Sequence, residues 1–341
     1  MLLSKHFFVR HWKRMIMIAL FVLLVVLSLE IGSMRDIGIM TAIRGDENAR
    51  LVLLHSRVPR TVAVVLAAAG LSVAGLLMQA VSRNKFMSPT TAGTIDAAAL
   101  GSLLTFVFLG QQAGWVQTLF SFVFALLSTL LFTAVINRLK IREVVYIPLL
   151  GMMYGGLILA LSTALSFRFA EVGAMEFLQQ IYLGSFARLG DFRFVWIVSI
   201  PLVLAVVFAT KFSIIGLGAD FAKNLGLNYN RVVMLALVIV ALISASTFVS
   251  VGPLPFIGLI IPNMATSFYG DNLKKSIVDL MLFGAVFVLL CDIVSRLVMF
   301  PFEMNVSVTI SVVGGVVFMI YLLRGMYGGK LRKRKAKATV A

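Results

Sequence analysis

Asp292 and Arg296 stand four residues apart inside an apolar run. At that spacing an acid and a base meet on one helix face and can pair. Ionisable groups inside a membrane-crossing helix cost about 2.5–3.5 kcal/mol each near its centre, so few are expected, and few occur. Asp96 is another, near one end of its apolar run. No ladder of Asp, Glu and His threads the apolar segments, which argues against a proton-coupled pump. A sodium site built from backbone and hydroxyl oxygens stays open. A membrane-embedded enzyme needs several carboxylates or histidines at one depth, and the runs hold too few, so no catalytic residue is assigned. His6, His11 and His55 are scattered without a ligand cluster beside them, so no metal site is expected. Cys291 is the single cysteine and can form no intrachain disulfide. A phosphate-binding P-loop needs Gly-x-x-x-x-Gly-Lys-Ser/Thr, and Gly329-Lys330 is followed by Leu331. The chain does not bind ATP by that device, and no cofactor of its own is expected.

The elements around these residues follow from composition. Of 341 residues, 60% are hydrophobic and 13% charged, and the mean hydropathy is +1.02. A soluble core of this size leaves too much surface wet to hide that apolar fraction. A soluble enzyme and a disordered chain are both excluded. The expectation is an all-α, polytopic integral membrane protein whose residues 1–341 form one transmembrane domain. The formal charge of +16, from 30 Lys+Arg against 14 Asp+Glu, fits Lys/Arg-rich cytoplasmic loops. Nucleic acid is not an expected partner, because no basic stripe carries interleaved stacking aromatics.

A spanning helix needs about 20 mostly apolar residues. Ten segments qualify, near 15–31, 61–82, 91–109, 115–136, 144–167, 194–210, 232–249, 256–268, 277–299 and 306–323. The eighth is short and interrupted by Pro262. The first has no small-residue cleavage site after it and reads as an uncleaved span. With the N-terminus inside, 21 Lys/Arg fall on the inside and 9 outside, which supports both termini being cytoplasmic. The basic tail, 324–341, reads as an anchor on anionic lipid, worth about 1 kcal/mol per basic residue near the surface.

Small residues recur in the spans, among them Gly70, Gly75, Gly151, Gly155 and Gly156. Helices in lipid associate by close backbone approach, so plain packing is the simpler reading and a pathway wall the functional one. The loop Gly216–Leu227 has glycines at both ends, few charges and the pair Phe221/Leu225 four apart. It reads as a short amphipathic helix on the inside, offered either to a partner or to the membrane surface.

Taken in order, the motifs resemble the permease (FecCD-type) family of bacterial ABC importers for iron-siderophores, haem and cobalamin. Arg57-Val58-Pro59-Arg60 opens the second span. Gly75-Leu76-Leu77-Met78-Gln79 and Arg83-Asn84-Lys85-Phe86-Met87-Ser88-Pro89 close it. The Gly216–Gly226 loop follows the sixth. Val251-Gly252-Pro253-Leu254-Pro255-Phe256-Ile257-Gly258-Leu259-Ile260-Ile261-Pro262-Asn263 follows the seventh. Gly284-Ala285 and Cys291-Asp292-Ile293-Val294-Ser295-Arg296 lie in the ninth. The resemblance covers nearly the whole chain.

The resemblance implies a subunit of ten spans in the bacterial cytoplasmic membrane. It implies a second permease, the same or a homologous chain, two cytoplasmic ATPase subunits that bind the ATP, and an extracytoplasmic substrate-binding protein. The substrate implied is an iron-siderophore complex, with cobalamin or haem as the alternative and an ion-coupled secondary transporter as a rival class. The coupling element implied is 216–227, with Gly216, Gly218, Asp220, Phe221, Leu225 and Gly226 facing the ATPase. Arg57, Arg60 and Arg296 are implied to receive carboxylates of the binding protein. The local alternative is that Arg296 pairs with Asp292 while the other two are snorkelling ends. The fifth and tenth spans are implied to line the path, with Gly151, Gly155, Gly314 and Gly315 as the small residues there. Two motifs depart from the family pattern: Asn84-Lys85-Phe86-Met87 stands for Asn-Pro-Leu-Ala, and Glu303-Met304-Asn305-Val306-Ser307 for Glu-Leu-Pro-Val-Gly. The first, followed by Ser88-Pro89-Thr90-Thr91-Ala92-Gly93-Thr94, is similar to a ferric-catecholate siderophore subgroup, the petrobactin type among them. The second leaves the start of span ten without its usual Pro and Gly.

Overall fold

A computed structural model describes residues 2–32, 38–110, 114–139, 146–184, 186, 192–269, 273–300 and 302–338. Residues 339–341 and the side chains of 324–338 in the basic tail lie outside that description, as do the side chains of Lys274 and Lys275. Every described element is helical or a connection between helices. In chain order they are α1 (Leu2–Glu30), α2 (Ile39–Ile43), α3 (Glu47–Val52), a π-turn (Leu53–Arg57), α4 (Val58–Ser82), α5 (Thr94–Leu109), α6 (Gly114–Leu139) and α7 (Tyr146–Arg168). After them come α8 (Ala174–Tyr182), α9 (Ser199–Val207), α10 (Ala209–Ile215), α11 (Ala219–Asn224), α12 (Tyr229–Val251), α13 (Ile257–Tyr269), α14 (Leu273–Leu297) and α15 (Val306–Ala338).

Each expected span meets a helix, with two differences in shape. Among the described residues, five helices are long and apolar enough to cross a membrane, six if a bent pair counts as one, and three more are apolar but shorter. The sixth segment is the bent pair: it turns by 68° between Val207 and Ala209. The eighth is short: α13 covers nearly all of it with 13 residues. Residues 252–256 run without helix before α13 begins. Pro262 sits inside α13, where it removes one backbone donor. The helices α2, α3 and α8 lie between spans and were not anticipated. Among the ends of α8, Ala174, Leu178 and Ile181 are buried at a spacing of three to four, so it packs by one face.

The middle of the molecule is α4. Of its best spanning window 83% is buried inside the chain, against 22% for α7. It packs on α12, α13 and α14, while α5 lies between α6 and α7, and α1 lies along α14. Small residues make this possible. A Cβ on Gly75 would collide with the carbonyl of Gly258, and one on Gly70 would lie 2.6 Å from a Val198 methyl. With no hydrophobic drive between helices in lipid, such close backbone approach is the main source of packing energy.

Candidate functional site

At one end of the bundle, α10 and α12 are joined by the turn that contains α11. Gly218 (φ +116) and Gly226 (φ +74) bound the helix in conformations that favour glycine. The N–H of Ala222 donates to the carbonyl of Gly218 at 3.1 Å, and that of Leu227 to the carbonyl of Ala222 at 3.0 Å. Ala222 is fully buried and pins the helix, while Leu217, Phe221 and Leu225 are each more than half exposed. Asp220 occupies the first turn and Lys223 the last, the favourable order for the helix dipole. Gly216 ends α10 with ordinary helical dihedrals. An exposed apolar trio on a rigid turn is a surface built for contact.

Beside this turn lies a cavity of about 290 Å³ lined by residues that include Gln79, Arg83, Lys85, Ser213, Leu217 and Thr266. Two of the sequence motifs meet here. The side-chain amide of Asn263 donates to the carbonyl of Lys85 at 2.7 Å, and the N–H of Phe86 donates to the Asn84 side chain at 2.9 Å. The Pro-Asn of α13 therefore fastens the turn that ends α4.

At the opposite end of the bundle, charge is turned inward. Arg57, Arg60 and Arg296 are each at most 9% exposed, and Asp292 is fully buried. Asp292 accepts from Arg60 Nη2 at 2.9 Å and also from Arg296, the pair read from the i, i+4 spacing. Arg60 Nη1 donates to Glu303 at 2.5 Å. Arg57 Nη1 donates to the carbonyls of Leu29 and Glu30, at 2.8 and 2.6 Å. Arg296 Nη1 donates to those of Ser28 and Ile31, at 2.9 and 2.8 Å. The last carbonyls of a helix lack partners within it, and two guanidinium groups supply them at the end of α1. Arg57 and Arg60 are thus not snorkelling ends. They join α1, α4, α14 and the segment before α15, and an outside carboxylate reaches Arg60 only by displacing Asp292 or Glu303. Glu303 also settles the start of span ten: with the N–H of Met304 donating to Ser295 at 3.0 Å, it holds that corner without the usual Pro and Gly.

Three of the four path candidates are contacts inside the chain. A Cβ on Gly151 would run into the carbonyl of Thr91. One on Gly155 would lie 2.5 Å from Asp96 Oδ2, and one on Gly314 3.0 Å from Ile260 Cδ1. Gly315 has open space beside it. Asp96 also accepts from the Tyr182 hydroxyl at 3.4 Å, which ties α5 to α8. Sequence reasoning missed Glu303 as the partner of Arg60, and the bidentate pair of Arg14 with Asp279 at 2.6 and 2.8 Å. Partners hundreds of residues apart leave no local spacing signal, whereas Asp292/Arg296 does.

A bundle around α4 in which five helices, or six with the bent pair, are long and apolar enough to cross a membrane is the architecture of a multi-pass membrane protein. The FecCD transport family matches residues 16–324, and the chain belongs to it. It is 39% identical to the petrobactin import system permease YclN of Bacillus subtilis (strain 168), over 89% of this chain and 97% of that one. It is 34% identical to the ferric-anguibactin transport system permease FatD of Vibrio anguillarum, over 82% and 89%. The fold is that of a solved metal-chelate type ABC transporter in an inward-facing conformation, with a TM-score of 0.76 and 22% identity over 90% of this chain and 97% of that one. The protein is therefore a permease subunit of an ABC importer, not an enzyme. Such subunits act in the membrane with a partner permease and an ATPase.

Proposed function

We propose that this chain moves an iron-siderophore complex of the catecholate kind inward across the cytoplasmic membrane. The observation that carries the reading is the 39% identity to a petrobactin permease along nearly its full length. The similarity to a second petrobactin permease, from Bacillus anthracis at 35%, supports it. In this reading both termini are cytoplasmic, and the basic tail rests on anionic lipid. A binding protein delivers the complex from outside. ATP is bound and hydrolysed on the ATPase subunits, and this chain holds no cofactor.

The turn 216–227 is the coupling element. Leu217, Phe221 and Leu225 enter a groove of the ATPase, and burying each apolar side chain contributes about 1.5–3 kcal/mol. Gly218 and Gly226 fix the angle of α11, so movement of the ATPase pair is passed through Ala222 into α10 and α12. The path runs beside α7 and α15. There Gly151, Gly155 and Gly314 let helices approach closely, and Gly315 borders the open side.

The test is reconstitution of the permease, ATPase and binding protein in proteoliposomes. ATP-dependent uptake of radioiron from ferric petrobactin, insensitive to ionophores, is the expected result. Uptake of haem or cobalamin in its place would move the substrate to the other branch of the family. Uptake driven by an ion gradient without ATP would overturn the coupling.

A further inference from the structure

The cavity beside the α11 turn lies at the end of α4, where the chain departs from what a helix end favours. Arg83 follows the last residue of α4 in the left-handed region, at φ +50. Glycine is the usual residue at such a stop, and a larger residue held there carries backbone strain. From this position the guanidinium reaches the α11 turn: a Cβ on Gly218 would lie 3.2 Å from Arg83 Nη1. Among the described residues, nothing accepts from that guanidinium or pairs with it.

The other polar groups of the cavity are satisfied, with one exception. The Ser213 hydroxyl donates to the Ala209 carbonyl at 3.0 Å, and that of Thr266 to the Asn263 carbonyl at 3.2 Å. Both spend their protons on their own helix. The carbonyl of Gln79 accepts from the N–H of Asn84 at 3.1 Å, and that of Ala80 from the N–H of Arg83 at 3.4 Å. The exception is the side chain of Gln79, which lines the cavity, is only 8% exposed and has an amide nitrogen without a partner. A buried donor left unmet is costly. The terminal torsion of Gln is soft, so this nitrogen can turn to an atom held in the cavity. Lys85 stands exposed among the lining residues and adds a second positive charge. No Asp or Glu is among the described lining residues.

We propose that this cavity binds a phosphate group. The planar guanidinium fork of Arg83 matches two phosphate oxygens at once, Lys85 acts as a point charge beside it, and the Gln79 amide donates to a third oxygen. The volume of about 290 Å³ stands at the lower end of the about 300–1,000 Å³ of small-molecule sites, which suits a phosphate and its ester. The end of a spanning helix is at headgroup level, so a lipid phosphodiester and free phosphate are the two sources to separate. Either ties the end of α4 to the α11 turn, because Gly216 and Leu217 line the same cavity.

The test uses the purified full-length chain in maltoside detergent, which carries no phosphate, and reads the thermal midpoint. Sodium phosphate is titrated against sodium chloride at constant ionic strength. In a second arm, short-chain phosphatidylglycerol is titrated against the phosphate-free diacylglycerol of the same chain length. Wild type is expected to show a saturable rise with at least one probe, and the probe that gives it names the source. Exclusion of phosphate from the protein surface gives instead an unsaturable rise in every variant. Arg83→Gly is expected to bind about tenfold more weakly or not at all, the loss of a charge-assisted contact. Its midpoint without ligand should be no lower than that of wild type, because glycine relieves the left-handed turn. Gln79→Leu is expected to weaken binding by less. No saturable rise with either probe, or unchanged half-saturation in either variant, would overturn the site. No rise together with lost ATPase co-purification in Arg83→Gly would assign the guanidinium to a carboxylate of that subunit, and the phosphate site would fall. A lowered midpoint in unliganded Arg83→Gly would contradict the strain argument. The measurement needs no ATPase, siderophore or transport, so failure of this site is separable from failure of the permease reading.

Discussion

The two ends of the bundle invert the usual order of polar and apolar groups. At one end Arg57, Arg60, Arg296 and Asp292 are buried and bonded to one another and to the end of α1. At the other, Leu217, Phe221 and Leu225 stand exposed on a turn whose glycines fix its shape. The inversion separates structural from functional work. A buried charge without its partner is costly, so the far-end cluster acts first on folding. An exposed apolar side chain adds little to the fold, so the trio on α11 is held for something outside the chain. Changes at the two ends should therefore fail differently.

The largest effect is expected from reversing charge at the far end. Arg57→Glu with Arg60→Glu places two carboxylates against Asp292, Glu303 and the carbonyl end of α1. Folded protein should fail to accumulate in membranes, as measured by fluorescence-detected size exclusion. A folded double variant whose only defect is slow, salt-dependent delivery by the binding protein would restore the docking role to these arginines, because rim charges act chiefly on association rate.

Next is Asp292→Asn, which leaves Arg60 and Arg296 buried without their shared counter-charge. Breaking a buried pair by removing one partner costs about 3–5 kcal/mol. A lowered thermal midpoint in detergent should follow. Glu303→Gln should cost less, because its side chain is 21% exposed to begin with. Equal midpoints for the two variants would mean the cluster is not organised around Asp292.

A smaller loss is expected at the centre, between the two ends. Gly75→Ala adds a methyl where the Gly258 carbonyl already sits. Overpacking of that kind costs about 1–3 kcal/mol, and the thermal midpoint reads it. Gly315→Ala, with open space beside it, should leave the midpoint unchanged.

How much of this was legible in sequence divides along the same line. Apolar length marked ten segments, each of which meets a helix, and the glycines at 218 and 226 mark the bounds of α11. The Asp292–Arg296 pair was legible because i, i+4 is a local relation. Its extension to Arg60 and Glu303 was not, since those residues are brought together by two helices, α4 and α14, and the segment before α15. Nor does hydropathy distinguish a straight span from the 68° bend after Val207, or show that residues 252–256 run without helix before α13. The glycines of α7 illustrate the same limit. Gly151, Gly155 and Gly156 look alike in sequence, yet the first two meet Thr91 and Asp96 and the third meets open space.

The account's central claim is that α11 passes ATP-driven motion into the permease, and Phe221→Asp tests it most directly. An exposed substitution of this kind should change stability by no more than about 0.5 kcal/mol. The variant should therefore fold and keep the thermal midpoint of wild type. In the reconstituted complex it should lose at least tenfold in ATP-driven ferric-siderophore uptake, through failed assembly with the ATPase or hydrolysis no longer linked to transport. A folded Phe221→Asp permease that assembles with its ATPase and transports at the wild-type rate would contradict the claim.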